Sequence, residues 1–233
     1  MTQVKLTTQT CDILRNYSLI NSSILIRKGS IIKTISVGEN IVSEYKCEEV
    51  WPQTFGIYDL PQFLMAVSLF QDPILEFNNN SYLTIRGNGG NTCKYFFSSP
   101  DITLKAAPER DVQFPGADIE FNVATNTLTK IQRAANNLNT PDLSFISDPN
   151  GHILLRTCDK EDETCNVYEE NLKGNCVDSL DLSMKIENLR LYDVMTSSSA
   201  SSSTSYTAKV SSKLITQWEH SVLDLKYYIA LEP

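Results

Sequence analysis

Lys130 and Arg133 stand three positions apart in a stretch whose other polar residues include Asn126 and Asn137. On a helix these side chains share one face. A basic or uncharged face of this kind suits sequence-blind attraction to phosphate oxygens. Arg15, with Thr8 beside it, stands in the same relation to an earlier apolar stripe. An ordinary solvated face has the same composition, but here two helices at equivalent places in the chain present it. Other candidate chemistry is weaker. The two histidines, His152 and His220, lie in no recognisable catalytic context. His152, Cys158, Cys165 and Cys176 are metal-ligating types, but their gaps of five, six and ten residues are not those of a zinc ribbon or finger. The alternative for the cysteines is buried or half-buried free thiols. The acidic run Asp159, Glu161, Asp162, Glu163 lacks the alternating ligands and central glycine of a calcium loop and reads as a solvated hairpin turn. No phosphate-binding P-loop, dinucleotide fingerprint, G-x-S-x-G or H-E-x-x-H is present. No metal, cofactor or catalytic residue is therefore expected, and an enzyme is the least supported class.

The elements that must carry these residues follow from periodicity. Thr10, Ile13, Leu14 and Tyr17 fall on one side of a helix spanning Thr7 to Tyr17, with Thr8, Asp12 and Arg15 opposite. Strands are expected at Ser23 to Arg27, Ile31 to Val37 and Val42 to Lys46. The order then recurs: a strand at Thr54 to Tyr58, a helix capped by Asp59 with Pro61 in its first turn, and strands at Ile74 to Phe77, Tyr82 to Arg86 and Cys93 to Phe97. This second helix turns Gln62, Met65 and Leu69 outward, so either neighbouring structure covers that face or the basic lining is sparse. After a connector at about Ser98 to Arg110, a strand at Ile119 to Val123 enters a helix at Thr125 to Leu138, with Leu128, Ile131, Ala135 and Leu138 on its apolar side. Strands follow at Leu143 to Ser147, Ile153 to Thr157 and Thr164 to Tyr168. The last repeat has a strand at Leu180 to Met184, a short helix near Ile186 to Leu191, and strands at Tyr206 to Val210, Leu214 to Trp218 and Lys226 to Leu231. The nearly all-serine run Thr196 to Ser205 interrupts it and reads as a mobile loop. Fourfold recurrence of one unit points to a pseudo-symmetric object.

With 233 residues, the chain is long enough for one large or two small domains with a real core. Twenty Lys and Arg against 28 Asp and Glu give a net charge of -8, which argues against coating nucleic acid with the whole surface but leaves room for a local basic strip. No apolar run approaches a bilayer span, and the opening residues lack the order of a secretory leader, so a cytoplasmic protein with six reduced cysteines is expected.

Taken together, the order of units, the segment TFGIYDLPQFLMAVSLF (Thr54 to Phe70), the opening LRNYSLINSSILIRKGS (Leu14 to Ser30) and the terminal LKYYIALEP (Leu225 to Pro233) resemble the DNA polymerase sliding clamps of T4-like bacteriophages. The likeness spans nearly the whole chain, and the terminal strand is also similar to that of archaeal and eukaryotic clamps. It implies an α+β fold, the DNA clamp fold: two similar domains, residues 1–108 and 109–233, each of two strand-helix-three-strand units with helices on one face of antiparallel sheets. It also implies a homotrimeric ring that encloses double-stranded DNA without sequence preference and tethers DNA polymerase. An ATP-dependent clamp loader and late-transcription factors are the further partners, the setting is the cytoplasm of an infected bacterium, and no membrane is involved. On this resemblance Arg15, Lys130 and Arg133, with Lys185 and Arg190 near the short fourth helix, would face DNA. Subunits would join edge to edge, with Lys94, Tyr95, Phe96 and Phe97 on one edge and Thr164, Val167 and Tyr168 on the other. A partner peptide would dock between the domains at Val37, Ile102, Leu104, Tyr228 and Ala230. The alternative is a β-rich structural or adaptor protein of a phage virion that binds no DNA.

Overall fold

The first helix shows how side-chain chemistry builds these units. In the computed structural model, which describes residues 2–99, 104–194 and 204–233, helix α1 (Thr8–Ile20) is capped by the Thr7 hydroxyl, which accepts from the Thr10 amide at 3.1 Å. The buried carboxylate of Glu49 braces that end. Its Oε1 accepts from the Thr7 amide at 2.7 Å and the Thr7 hydroxyl at 2.9 Å, and its Oε2 accepts from the Thr10 hydroxyl at 2.6 Å. Ile13, Leu14 and Tyr17 are fully buried beneath the helix, as the stripe requires. Removing the brace leaves an amide and two hydroxyls unsatisfied against the core. Glu49→Ala is therefore expected to cost about 2–4 kcal/mol, given that hydrogen bonds to a charged group carry ~1.5–3 kcal/mol each and part of the loss relaxes. Urea denaturation should show the lowered midpoint, with exposed Glu48→Ala unchanged.

The described chain forms two compact units, Met1–Glu109 and Arg110–Pro233. The first begins with a strand the periodicity does not predict, β1 (Thr2–Lys5), where only Val4 is buried. After α1 come β2 (Ile24–Ile26), β3 (Gly29–Ile35) and a long β4 (Ile41–Trp51). The second repeat is β5 (Phe55–Ile57), α2 (Leu60–Ser68), β6 (Ile74–Phe77), β7 (Tyr82–Arg86) and β8 (Thr92–Phe96). Asp59 caps α2 by accepting from the Gln62 amide at 2.8 Å. Strands β1, β6, β7 and β8 form a sheet in that order, while β2 pairs with β5 and β3 with β4, all antiparallel. The core is aromatic, with Phe55 within 5.1 to 5.7 Å of Trp51, Phe77 and Phe97. Residues 104–109 of the connector lie along this unit. Asn21 and Arg27 donate to the carbonyls of Lys105 and Ala107 at 3.3 and 2.8 Å.

In the second unit β9 (Ile119–Ala124) runs directly into α3 (Thr125–Leu138). Three strands follow: β10 (Asp142–Ser147), β11 (His152–Cys158) and β12 (Tyr168–Cys176). Helix α3 has no side-chain N-cap. It ends on Asn139 in the left-handed region, with φ 54, whose amide donates to the Ala135 carbonyl. The final repeat is β13 (Leu180–Lys185), a turn at Ile186–Asn188, β14 (Ser205–Ser211), β15 (Ile215–His220) and β16 (Leu225–Ala230). Its eight strands hydrogen-bond in the order β13-β10-β11-β12-β9-β14-β15-β16. Phe121, Phe145 and Trp218 meet at 6.2 to 6.3 Å in its core.

Two sequence expectations need correction, and a third falls largely outside the described residues. The short fourth helix is one turn of 3-10 helix, Ile186–Asn188, with no surface long enough to form a face. The strand expected at Thr164 to Tyr168 begins where that segment ends and runs to Cys176, because YEENLKGNC carries no alternation of apolar side chains to reveal it. Residues 159–167 are turns and irregular chain, where Asp162 accepts from the Thr164 amide and hydroxyl at 2.9 and 2.7 Å. Those bonds hold its carboxyl below the usual range. Finally, the serine-rich run lies outside the described residues at positions 196–203, and Ser205 begins β14.

Candidate nucleic-acid interface

Helix α3 places its apolar residues Leu128, Ile131 and Ala135 against the sheet, which forces Lys130 and Arg133 out into solvent. Among the described residues neither makes an ion pair or a side-chain hydrogen bond. Below Arg133 a cleft of about 380 Å³ opens, floored by Thr129, Gln132 and Asn136 of α3 and walled by Ile186 and Glu187. Its helix side is polar and free of acid.

The other three candidate cations differ. Arg15 is exposed on α1 but forms an ion pair with Asp12 one turn earlier on the same face. Lys185 donates to the nearly buried carboxylate of Asp142 at 2.7 Å. That bond raises the lysine's pKa and spends its charge inside the fold. Arg190 bends back, donating from Nε to the Glu187 carbonyl at 3.0 Å. The structure thus brings Lys130 and Arg133 together and leaves Arg15, Lys185 and Arg190 tied to neighbours. The Asp12 partner was visible in the sequence at i-3. Asp142, 43 residues before Lys185, was not.

Strand alternation sorts the candidate edge residues. In β8 Tyr95 turns inward, its ring 5.1 Å from Phe63 and its hydroxyl donating to the Asp59 carbonyl at 3.2 Å. Burial pushes that phenol's pKa up. Phe97 also turns in, against Phe55. Phe96 and Lys94 point outward, Phe96 65% exposed and Lys94 Nζ 4.4 Å above the Tyr82 ring. The outer apolar side chain of this edge is therefore Phe96, in place of Tyr95 and Phe97. β8 has one partner, β7, and its other side is open among the described residues. In the second unit β12 pairs with β11 along Tyr168–Lys173 but meets β9 only at Gly174, Asn175 and Cys176. Its open edge is thus Tyr168 to Lys173, and of the three expected residues only Tyr168 lies on it. Thr164 lies in a turn, and Val167, half exposed, just precedes the strand. Tyr168 donates to Glu170, which raises the phenol's pKa.

Of the candidate peptide positions, Val37 is 75% exposed at the β3–β4 turn. Leu104 packs so closely on β5 that a Cβ at Gly56 would lie 2.4 Å from its Cδ1. On β16 Tyr228 is buried and Ala230 exposed. Ile102 lies outside the described residues. His152, Cys158, Cys165 and Cys176 do not converge: among the described residues no group of three or more His, Cys, Asp or Glu is placed to hold a metal. The Cys176 thiol donates instead to the Asp148 carbonyl at 2.6 Å.

Residues 5–86 match the sequence model of the DNA polymerase processivity factor family. The sliding clamp of Vibrio phage KVP40 is 26% identical over 195 residues, covering 82% of this chain and 87% of that protein. The chain is similar to the sliding clamps of T4-like phages. The sliding clamp of Enterobacteria phage T4 is likewise 26% identical, over 161 residues and 69% of each chain. The fold is the DNA clamp fold, matching Archaeoglobus fulgidus PCNA bound to the C-terminal region of FEN-1 with a TM-score of 0.73 over 100% of this chain and 99% of that one, at 14% identity. The two repeats in each unit of this clamp fold explain why α1, α2 and α3 occupy equivalent positions behind their sheets.

Proposed function

We propose that this chain assembles as a homotrimeric ring that encloses duplex DNA and tethers a DNA polymerase during phage replication in the infected cell. The observation that carries it is a pair of unlike open strand edges, β8 in the first unit and Tyr168–Lys173 in the second, in a chain related to phage sliding clamps. An open edge invites pairing with another chain, and cyclic pairing of two unlike edges consumes every one of them. Lys130 and Arg133 then supply sequence-blind attraction to phosphates, without base contacts that would arrest sliding. An ATP-driven loader opens the ring, and late-transcription factors share its docking face. The reading assigns the chain no covalent chemistry.

Polymerase docks through a short peptide, as the FEN-1 C-terminal region does on the archaeal clamp. Ala230 and Tyr228 on β16, with Val37, Ile102 and Leu104 in the first unit, are its assigned contacts. An apolar peptide needs a small residue at an exposed strand position, and a guanidinium there would obstruct and charge the surface. Ala230→Arg is expected to weaken polymerase-peptide binding at least ~100-fold, about 2.7 kcal/mol, and to shorten replication products on primed template. Sedimentation should still show a trimer. Parent-like peptide affinity in this variant would remove β16 from the docking site, and a monomeric parent would remove the ring.

A further inference from the structure

We propose that the attraction for DNA is carried by one helix of the three, α3, and that α1 and α2 add no net charge to it. This rests on the clamp reading and says which part of each subunit does the holding. The helices occupy equivalent repeat positions but differ in charge. Helix α1 contains one acid and one base, Asp12 and Arg15, joined as an ion pair. Helix α2 has no charged residue, and its solvent face presents Met65 and Leu69, 63% and 77% exposed. Helix α3 has Lys130 and Arg133 and no acid. Net helix charges are thus 0, 0 and +2.

Distance makes the difference matter. To a phosphate several times farther off than the pair is wide, two opposite charges on adjacent turns largely cancel, while two like charges add, and salt screening over ~8 Å at physiological ionic strength weakens the like pair without reversing that order. The fourth repeat does not restore balance. Lys185 is paired with the Asp142 carboxylate, and the Nε of Arg190 is turned back onto the Glu187 backbone carbonyl, so neither stands free beside α3. The neighbouring residues of α3 are Asn126, Thr129, Asn136 and Asn137, which can bond phosphate oxygens or water without cancelling charge, and the acid that lines the same cleft, Glu187, makes no ion pair with Lys130 or Arg133 among the described residues. A duplex inside the ring is therefore held at three places, one per subunit.

The test is the salt dependence of binding of the full-length protein to a short labelled duplex, followed by anisotropy between about 50 and 200 mM salt. Lys130→Ala with Arg133→Ala should lower the slope of log affinity against log salt by up to ~2 for each subunit in contact. Asp12→Asn with Arg15→Gln, which deletes the α1 pair, should leave that slope unchanged. Met65→Lys puts a new cation on α2 and should steepen it. Equal losses from the α1 and α3 double variants, or no gain from Met65→Lys, overturn the inference while the clamp reading stands. A parent that neither trimerises nor binds duplex overturns both.

Discussion

Phe96→Asp is expected to sediment as a monomer at concentrations where the parent runs as a trimer. Phe96 is the large apolar side chain that β8 offers outward, and in the proposed ring its exposed area is covered by the next subunit. The strip it would meet is β12 from Tyr168 to Lys173, where Glu169 is already paired with Arg156. An added carboxylate therefore loses the apolar burial, about 2 kcal/mol for a phenylalanine, and is itself drawn out of water. The penalty falls on each contact between subunits, and a ring with one open contact has lost its closure. At ~1.4 kcal/mol per tenfold, subunit affinity should drop at least ~100-fold. Phe97→Asp would not give the same answer, because Phe97 packs on Phe55 inside the first unit and its loss would damage the fold. A Phe96→Asp trimer as stable as the parent's would place the interface elsewhere.

The second large effect is expected at Gly174, where β12 passes from its open stretch to its pairing with β9. A Cβ there would lie 2.2 Å from the Glu120 carbonyl oxygen, 2.6 Å from Ile153 Cδ1 and 2.9 Å from Phe121 Cβ. The isoleucine tip can move, but the carbonyl belongs to the backbone of a paired strand. Replacing glycine by alanine in a strand recovers roughly 0.5–1 kcal/mol of backbone entropy. That gain is small beside an overlap of this size, since overpacking costs ~1–3 kcal/mol even where neighbours are side chains. Gly174→Ala should therefore lose about 3 kcal/mol or more in chemical denaturation. Gly89→Ala, with nothing within 4 Å, should stay within about 0.5 kcal/mol of the parent. Equal midpoints for the two variants would mean that β9 and β12 do not approach as described.

The elements legible from sequence were those with an apolar face to bury. Helix α3 runs over Thr125–Leu138 as its 3.6-residue stripe predicts, and Asp59 with Pro61 fixes the start of α2. The strands that escaped have almost no such face. β1 buries Val4 alone, and β12 buries no side chain fully, being held by the pairing of its backbone to β11. That is why its open edge was read several residues too early. In the candidate site, local pattern found Lys130 and Arg133 because helical spacing is a local property. It could not reveal that Asp142 claims Lys185, since β10 and β13 become neighbours only in the folded sheet. The resemblance to clamps put Tyr95, Phe96 and Phe97 alike on the edge, whereas strand alternation turns Tyr95 and Phe97 inward and leaves Phe96 outside. The alternative of a virion adaptor rested on β-rich architecture, and the clamp fold accounts for that architecture.

The two open edges are chemically unlike, one presenting Phe96 and Lys94 and the other Glu169 and Glu170. In the proposed ring they would pair head to tail, so that every copy points the same way around the axis. Such a ring has no two-fold axis across it, and its front and back are different surfaces. A protein that recognises one of them is thereby aimed along the duplex. Orientation on a featureless double helix is then set by how the ring is put on, with no base read at all.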